Sequence, residues 1–217
     1  MFAADMGLQP PGFVTAPATW TGCYIGGNIG GGWNLISGFD PTNMVPAGNA
    51  NGYGVVGGGQ VGCDYQISSF VVGIEGMFEG FSVKGSSPGL ELPGTFMDSA
   101  SIPWLATLTG RIGFVAMPSA LIYAKGGGAW VKDSITSTTI ATGIPFDSSN
   151  YIASGWTLGG GFEYKFLPHW SAFVEYDYMD LGTTTRPFSL TAPPPPTLPF
   201  NITQNVQAVV VGVNFRY

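Results

Sequence analysis

Ten charged residues stand on alternating positions of otherwise apolar runs: Asp64, Glu75, Glu79, Arg111, Lys125, Glu163, Lys165, Glu175, Asp177 and Arg216. In an extended chain successive side chains point to opposite faces, so these residues share the polar face of their runs. Carboxylates and cations arranged in this way can be solvated on one side of a soluble sheet, or they can pair with one another across an enclosed space. If the apolar face meets lipid, the charges must turn inward, because a lipid-facing Arg or Lys at midplane costs about 2–4 kcal/mol. The long, aromatic-ended apolar face favours the enclosed arrangement, a paired and hydrogen-bonded interior network.

Little else has the makings of a reactive site. The one histidine, His169, follows Pro168 in a short connection. That excludes a His-rich metal site and leaves no Ser/His/acid set for nucleophilic catalysis. No catalytic residue, metal site or cofactor is expected, and the chain reads as a non-enzyme. Glycine triplets at Gly57 to Gly59, Gly126 to Gly128 and Gly159 to Gly161 lack the strand-to-helix context of a phosphate loop. Mid-strand, they read as sites of sharp sheet bending. With seven Lys+Arg and a net charge of -6, there is no basic patch for nucleic acid.

The elements that must position the charges are eight runs of period-2 alternation: Trp20 to Trp33, Gly54 to Ile67, Phe70 to Phe81, Trp104 to Ala116, Ala120 to Val131, Gly155 to Phe166, Trp170 to Met179 and Asn205 to Tyr217. Their connections alternate in length. Ser68-Ser69, the turn centred on Met117-Pro118-Ser119, and Leu167-Pro168-His169 are short; Asn34 to Tyr53, Ser82 to Pro103, Lys132 to Ser154 and Asp180 to Gln204 are about 20 to 25 residues long. Short periplasmic turns and longer extracellular loops are the signature of an outer-membrane barrel, and an even strand number returns both termini to the short-turn side. The expected fold is all-β: an eight-stranded antiparallel up-and-down transmembrane β-barrel over 20–217, with four long extracellular loops, after a flexible Pro/Gly-rich tail over 1–19. The last loop carries Pro193 to Pro196, expected as stiff polyproline II.

Composition agrees. Only 9% of residues are charged and 34 of 217 are glycine, against typical shares of about 25% and about 7%. Mean hydropathy is +0.24, yet no run of about 20 apolar residues exists to form a spanning helix. The apolar content is instead spread along the chain. The opening Met1-Phe2-Ala3-Ala4-Asp5 has no basic or apolar export region, so the sequence reads as a mature form with its signal peptide removed.

Aromatic residues gather at run ends, namely Trp20, Trp33, Trp104, Trp130, Trp156, Trp170, Tyr176 and Tyr178, and are assigned to interfacial girdles. Antiparallel pairing of the first two runs brings Cys23 close to opposite Cys63. A disulfide there suits an oxidising periplasm; the alternative is two free thiols in the apolar band.

Several segments resemble a known family. Trp20-Thr21-Gly22-Cys23-Tyr24-Ile25-Gly26-Gly27-Asn28-Ile29-Gly30 is similar to the opening strand of the small outer-membrane immunogenic-protein family of alpha-proteobacteria, part of the wider OmpA-like and opacity-protein barrel group. Gly110 to Gly113 with Leu121 to Gly127 resembles its central hairpin, and Gly155 to Tyr164, then Trp170-Ser171-Ala172 and Glu175-Tyr176, its sixth and seventh strands. Val211 to Tyr217 resembles its terminal strand. Cys23 departs from the aromatic or aliphatic residue commoner at that place. The resemblance implies a protein of the Gram-negative outer membrane, in contact with lipid and lipopolysaccharide, whose final strand, with Phe215 and Tyr217, is read by the outer-membrane assembly machinery. The leading expected role is a structural, surface-antigen barrel. A narrow cation-preferring, porin-like channel is the second reading. Ligand or haem capture by the loops is the third, resting only on Met44, Tyr53, Met97 and Tyr151.

Overall fold

Backbone groups inside a bilayer have no water to bond, so strands with one lipid-facing side must pair on both edges until the sheet closes. The chain does this with eight strands in sequence order: β1 (Gly22–Asp40), β2 (Val45–Ile67), β3 (Phe70–Pro88), β4 (Phe96–Met117), β5 (Ala120–Thr139), β6 (Pro145–Leu167), β7 (Trp170–Ser189) and β8 (Thr197–Arg216). Every strand is antiparallel to its chain neighbours, and β8 pairs β1 to close the barrel. This computed structural model describes residues 19–40, 45–88, 96–139, 145–189 and 197–217. Residues Ser68-Ser69, Pro118-Ser119 and Pro168-His169 make the three short turns, at the same end as Thr19 and Tyr217.

The outer face carries Ile29, Val61, Ile74, Leu108, Ile112, Leu158 and Val211, each more than half exposed. The opposite parity of each strand points inward. Two inward glycines show how closely neighbouring strands approach: a Cβ on Gly58 would lie 2.7 Å from the Glu79 Cα, and one on Gly127 2.8 Å from the Thr109 Cα.

The strands are longer than the alternation indicates. β2 begins at Val45 rather than Gly54, and β7 runs to Ser189 rather than Met179. The expected 20–25-residue loops therefore consist largely of strand. Above the lipid both faces of a hairpin meet water, so the ladder can continue without alternating polarity. What separates the strands there, 41–44, 89–95, 140–144 and 190–196, lies outside the described residues, as do the tail over 1–18 and the Pro193 to Pro196 run.

Two ladders stop early. β2–β3 pairing ends at Tyr53↔Lys84, while β1–β2 continues to Asp40↔Val45 and β3–β4 to Pro88↔Met97. β6–β7 pairing ends at Trp156↔Asp180, while β5–β6 continues to Thr138↔Pro145 and β7–β8 to Ser189↔Thr197. The seams lie on opposite sides of the barrel. Above them stand two four-stranded sheets, β7-β8-β1-β2 and β3-β4-β5-β6. Register shifts occur at the same level, between Gly80 and Val83, Ser101 and Trp104, and Asp180 and Thr183. Bulges bend the strand that carries them. The last contains Gly182 at φ +70, whose N–H donates to Asp180 Oδ1 at 2.7 Å. A methyl at Gly182 would meet nothing within 4 Å, so the cost of Gly182→Ala is conformational, about 1–2 kcal/mol. The expected result is amide exchange over Thr183 to Ser189 faster by about fivefold or more.

Candidate functional site

Among the described residues, polar chemistry concentrates in the barrel interior. The structure puts all ten residues of the charged parity there, with exposures from 0% at Glu163 to 9% at Lys165. Arg111, on β4, is the hub. It bridges to Glu163 at 2.6 Å, Glu75 at 3.5 Å and Asp64 at 3.7 Å. Lys125, on β5, joins Glu175 at 2.6 Å, Glu75 at 3.0 Å and Asp177 at 3.4 Å. Arg216, on β8, closes the circuit through Asp64 at 2.9 Å and Glu163 at 3.7 Å. These eight groups form one connected set. Lys165 lies to one side, donating to the Thr19 carbonyl. Glu79 stands apart as well; its Oε1 has no hydrogen-bond partner among the described residues.

In the connected set anions outnumber cations, and neutral donors supply the balance of hydrogen bonds. Tyr24 Oη donates to Glu75 at 2.6 Å and accepts from Arg111 at 2.8 Å. Tyr123 Oη donates to Glu175 at 2.7 Å, Ser171 Oγ to Glu163 at 2.6 Å, and Asn214 Nδ2 to the same Glu163 oxygen at 3.1 Å. The Arg111 guanidinium lies 4.0 Å from the Tyr123 ring centroid, a cation–π contact that adds to the ion pairs. These neutral partners share the inward parity of the charges, so the sequence carries a signal for them. It carries none for which charge they serve.

Apolar layers bound the network on both sides. On the side away from the short turns lie Val56, Leu105, Val131, Met179, Val206 and Val210, all 0–1% exposed. On the short-turn side Trp20 packs with Val71, Leu121 and Tyr123. Trp20 was expected in an aromatic girdle, and here the structure corrects the sequence reading: the residue is 0% exposed and lies inside the barrel. It precedes β1, so it is free to fold back under the barrel. There its ring meets Lys165 Nζ at 4.3 Å and the Arg216 guanidinium at 5.5 Å. The Trp20 main-chain N–H donates to Gln66 Oε1 at 2.8 Å, and its main-chain carbonyl accepts from Arg216 at 2.7 Å.

The other aromatics expected in the girdles face outward in two bands. Trp104 stacks on Phe78 at 5.7 Å, Trp156 packs on Tyr178 at 5.7 Å and Trp33 approaches Tyr176 at 6.5 Å; Trp130 is 39% exposed at a similar height. Near the short turns Trp170 packs edge-on against Phe215 at 5.2 Å. Tyr217, just past β8, is exposed, and its N–H donates to the Cys23 carbonyl. Cys23 stands opposite Cys63 in the β1–β2 register, and the two form a disulfide. Of the residues considered for haem, Tyr53 is exposed on β2, Met97 and Tyr151 belong to β4 and β6, and Met44 lies outside the described residues.

The sequence profile of the outer membrane protein beta-barrel domain family matches residues 12–217. The chain belongs to that family. It is 35% identical to the 31 kDa outer-membrane immunogenic protein of Brucella melitensis biotype 1, over 83% of this chain and 80% of the relative. It is 31% identical to the 25 kDa outer-membrane immunogenic protein of Brucella ovis, over 83% of this chain and 82% of the relative. Among solved structures it is similar to neisserial surface protein A, at 11% identity and a TM-score of 0.44 over 91% of this chain and 98% of that one. This outer membrane protein beta-barrel is a protein of the Gram-negative outer membrane, and its short-turn end is the periplasmic one.

Proposed function

We propose that this chain is a non-conducting barrel that reinforces the outer membrane and presents its projecting strands as a surface antigen. The observation that carries the reading is the interior: a connected set of buried ion pairs between two apolar layers. An eight-stranded barrel has just enough room for its own side chains, which supports a closed interior. The Brucella relatives, named as immunogenic outer-membrane proteins, support the antigen role. The outer belt contacts lipid and lipopolysaccharide, and the strand ending in Phe215 and Tyr217 is offered to the assembly machinery. On this reading the chain is not an enzyme and takes no cofactor or nucleic acid.

The surplus of anions inside favours one competitor, a narrow cation channel. Single-channel recording of the folded protein in a planar bilayer separates the two. The expected trace is silent, and it stays silent for Trp20→Ala, because the layer around Leu105 and Val206 still closes the far side. Discrete steps in the wild type that vanish with Glu75→Gln or Glu79→Gln would instead establish the channel.

A further inference from the structure

Cys23 and Cys63 are the two cysteines of the chain, so oxidation offers a single intramolecular product, the bond that the structure holds. Cys23 is the second residue of β1, and Cys63 stands opposite it on β2. The hairpin these strands make reaches up to Asp40↔Val45. The disulfide therefore closes the open, periplasmic end of that hairpin, joining residues 40 apart in sequence. It also fixes the register of the first two strands, where a slip of one residue would turn every side chain of one strand to the wrong face.

Both cysteines take the outward parity of their strands. Their neighbours along that face are Ile25, Val61 and Tyr65, and Ile74 faces Cys63 across the β2–β3 ladder; all four are more than half exposed on the lipid-facing surface. Ile25 pairs with Phe215, whose ring packs on Trp170 in the band near the short turns. Such rings mark the lipid–water interface. The disulfide lies on the lipid side of the wall, at the level of the periplasmic aromatic band.

That position bears on how the bond is made. One cysteine loses its proton and attacks a sulfur of a donor disulfide, giving a mixed disulfide and releasing one donor thiolate. The second cysteine, also as thiolate, attacks the first at the mixed disulfide, closing Cys23–Cys63 and releasing the donor as a dithiol. Two electrons and the two cysteine protons end on the donor. Each attack needs a thiolate and open access for the incoming sulfur. In the folded barrel the apolar surround disfavours the thiolate charge, and lipid bars a protein donor from the wall. The unfolded chain in water meets neither barrier.

We propose that Cys23 and Cys63 are joined before the strands enter the bilayer, by exchange with a water-borne disulfide-donating protein of the periplasm, and that insertion then seals the bond against the lipid. The proposal holds whether or not the barrel conducts, since it concerns only the outer face.

The test starts from the full chain with its thiols reduced, either unfolded in urea or folded in lipid nanodiscs, which leave both membrane faces open. An oxidised Cys-X-X-Cys protein is added to each, samples are quenched with acid and alkylated, and joining is read by mass. Joining is expected to be slower in the folded barrel by about a hundredfold or more, and unfolding that sample in urea should restore the fast rate. The converse arm adds dithiothreitol to the joined barrel in nanodiscs: the bond should outlast complete reduction of the urea-unfolded chain by a similar factor. A reduced chain that cannot fold would also put joining first. The proposal is overturned if the folded, reduced barrel is joined as fast as the unfolded chain, or if dithiothreitol opens the bond equally fast in both.

Discussion

Replacing Arg111 with leucine will destabilise the folded barrel by about 3–5 kcal/mol, the cost of removing one partner from a buried ionic cluster. Arg111 is 4% exposed and touches three carboxylates, those of Asp64, Glu75 and Glu163. The variant would leave them to Lys125 and Arg216, which already serve Glu175, Asp177 and the same acids. Urea unfolding in lipid vesicles, read by loss of the compact gel band, measures the change. Arg111→Lys should fall between the wild type and the leucine variant, because an ammonium keeps the charge but loses the planar fork that reaches Tyr24 and Glu163 together. A double-mutant cycle with Glu163→Gln should show coupling, since the pair is 2.6 Å apart. A leucine variant as stable as the wild type would mean that the network does not hold the barrel together.

The next residue tests the other face. Ile112 is 58% exposed on the outer surface. Ile112→Arg is expected to cost about 2–4 kcal/mol if that surface meets the bilayer midplane, whereas Ile152→Arg, near the rim, should cost only about 0–1 kcal/mol. The same unfolding assay reads both. Position 111 thus requires the side chain that position 112 rejects. Equal costs at 112 and 152 would contradict a lipid belt centred on Ile112.

The alternation explains how far the sequence alone could be read. Asp64, Glu75, Arg111, Lys125, Glu163 and Arg216 lie inside the barrel because each shares the polar parity of its run, and parity is a local property of extended backbone. Strand number and the alternation of short turns with long connections are local as well, since Ser68-Ser69 and Pro168-His169 need no distant partner to be turns. Alternation stops being informative where both faces meet water, and for that reason β2 and β7 extend well past their apparent ends. The inner face also changes character along its length: the polar parity that holds Asp177 and Asn214 becomes apolar at Met179, Leu181, Val206 and Val210, a layer visible in the sequence only once the inward face is followed to the strand tops.

Residue order along the chain was enough to give the class of protein: eight lipid-compatible strands, one charged face and a resemblance to outer-membrane immunogenic barrels. Which side chains become partners depends on the closed sheet. Arg111 on β4 reaches Glu163 on β6, across β5, because the curvature of the closed sheet brings inward side chains two strands apart together. Trp20 precedes the first strand, where no parity rule applies, and only the enclosed space above it makes Lys165 and Arg216 its neighbours. The seams follow from bulges placed at one height on opposite sides of the barrel, a relation between distant strands. Spacing within a strand fixes the face a side chain takes; the curvature and stagger of the closed sheet fix what it meets there.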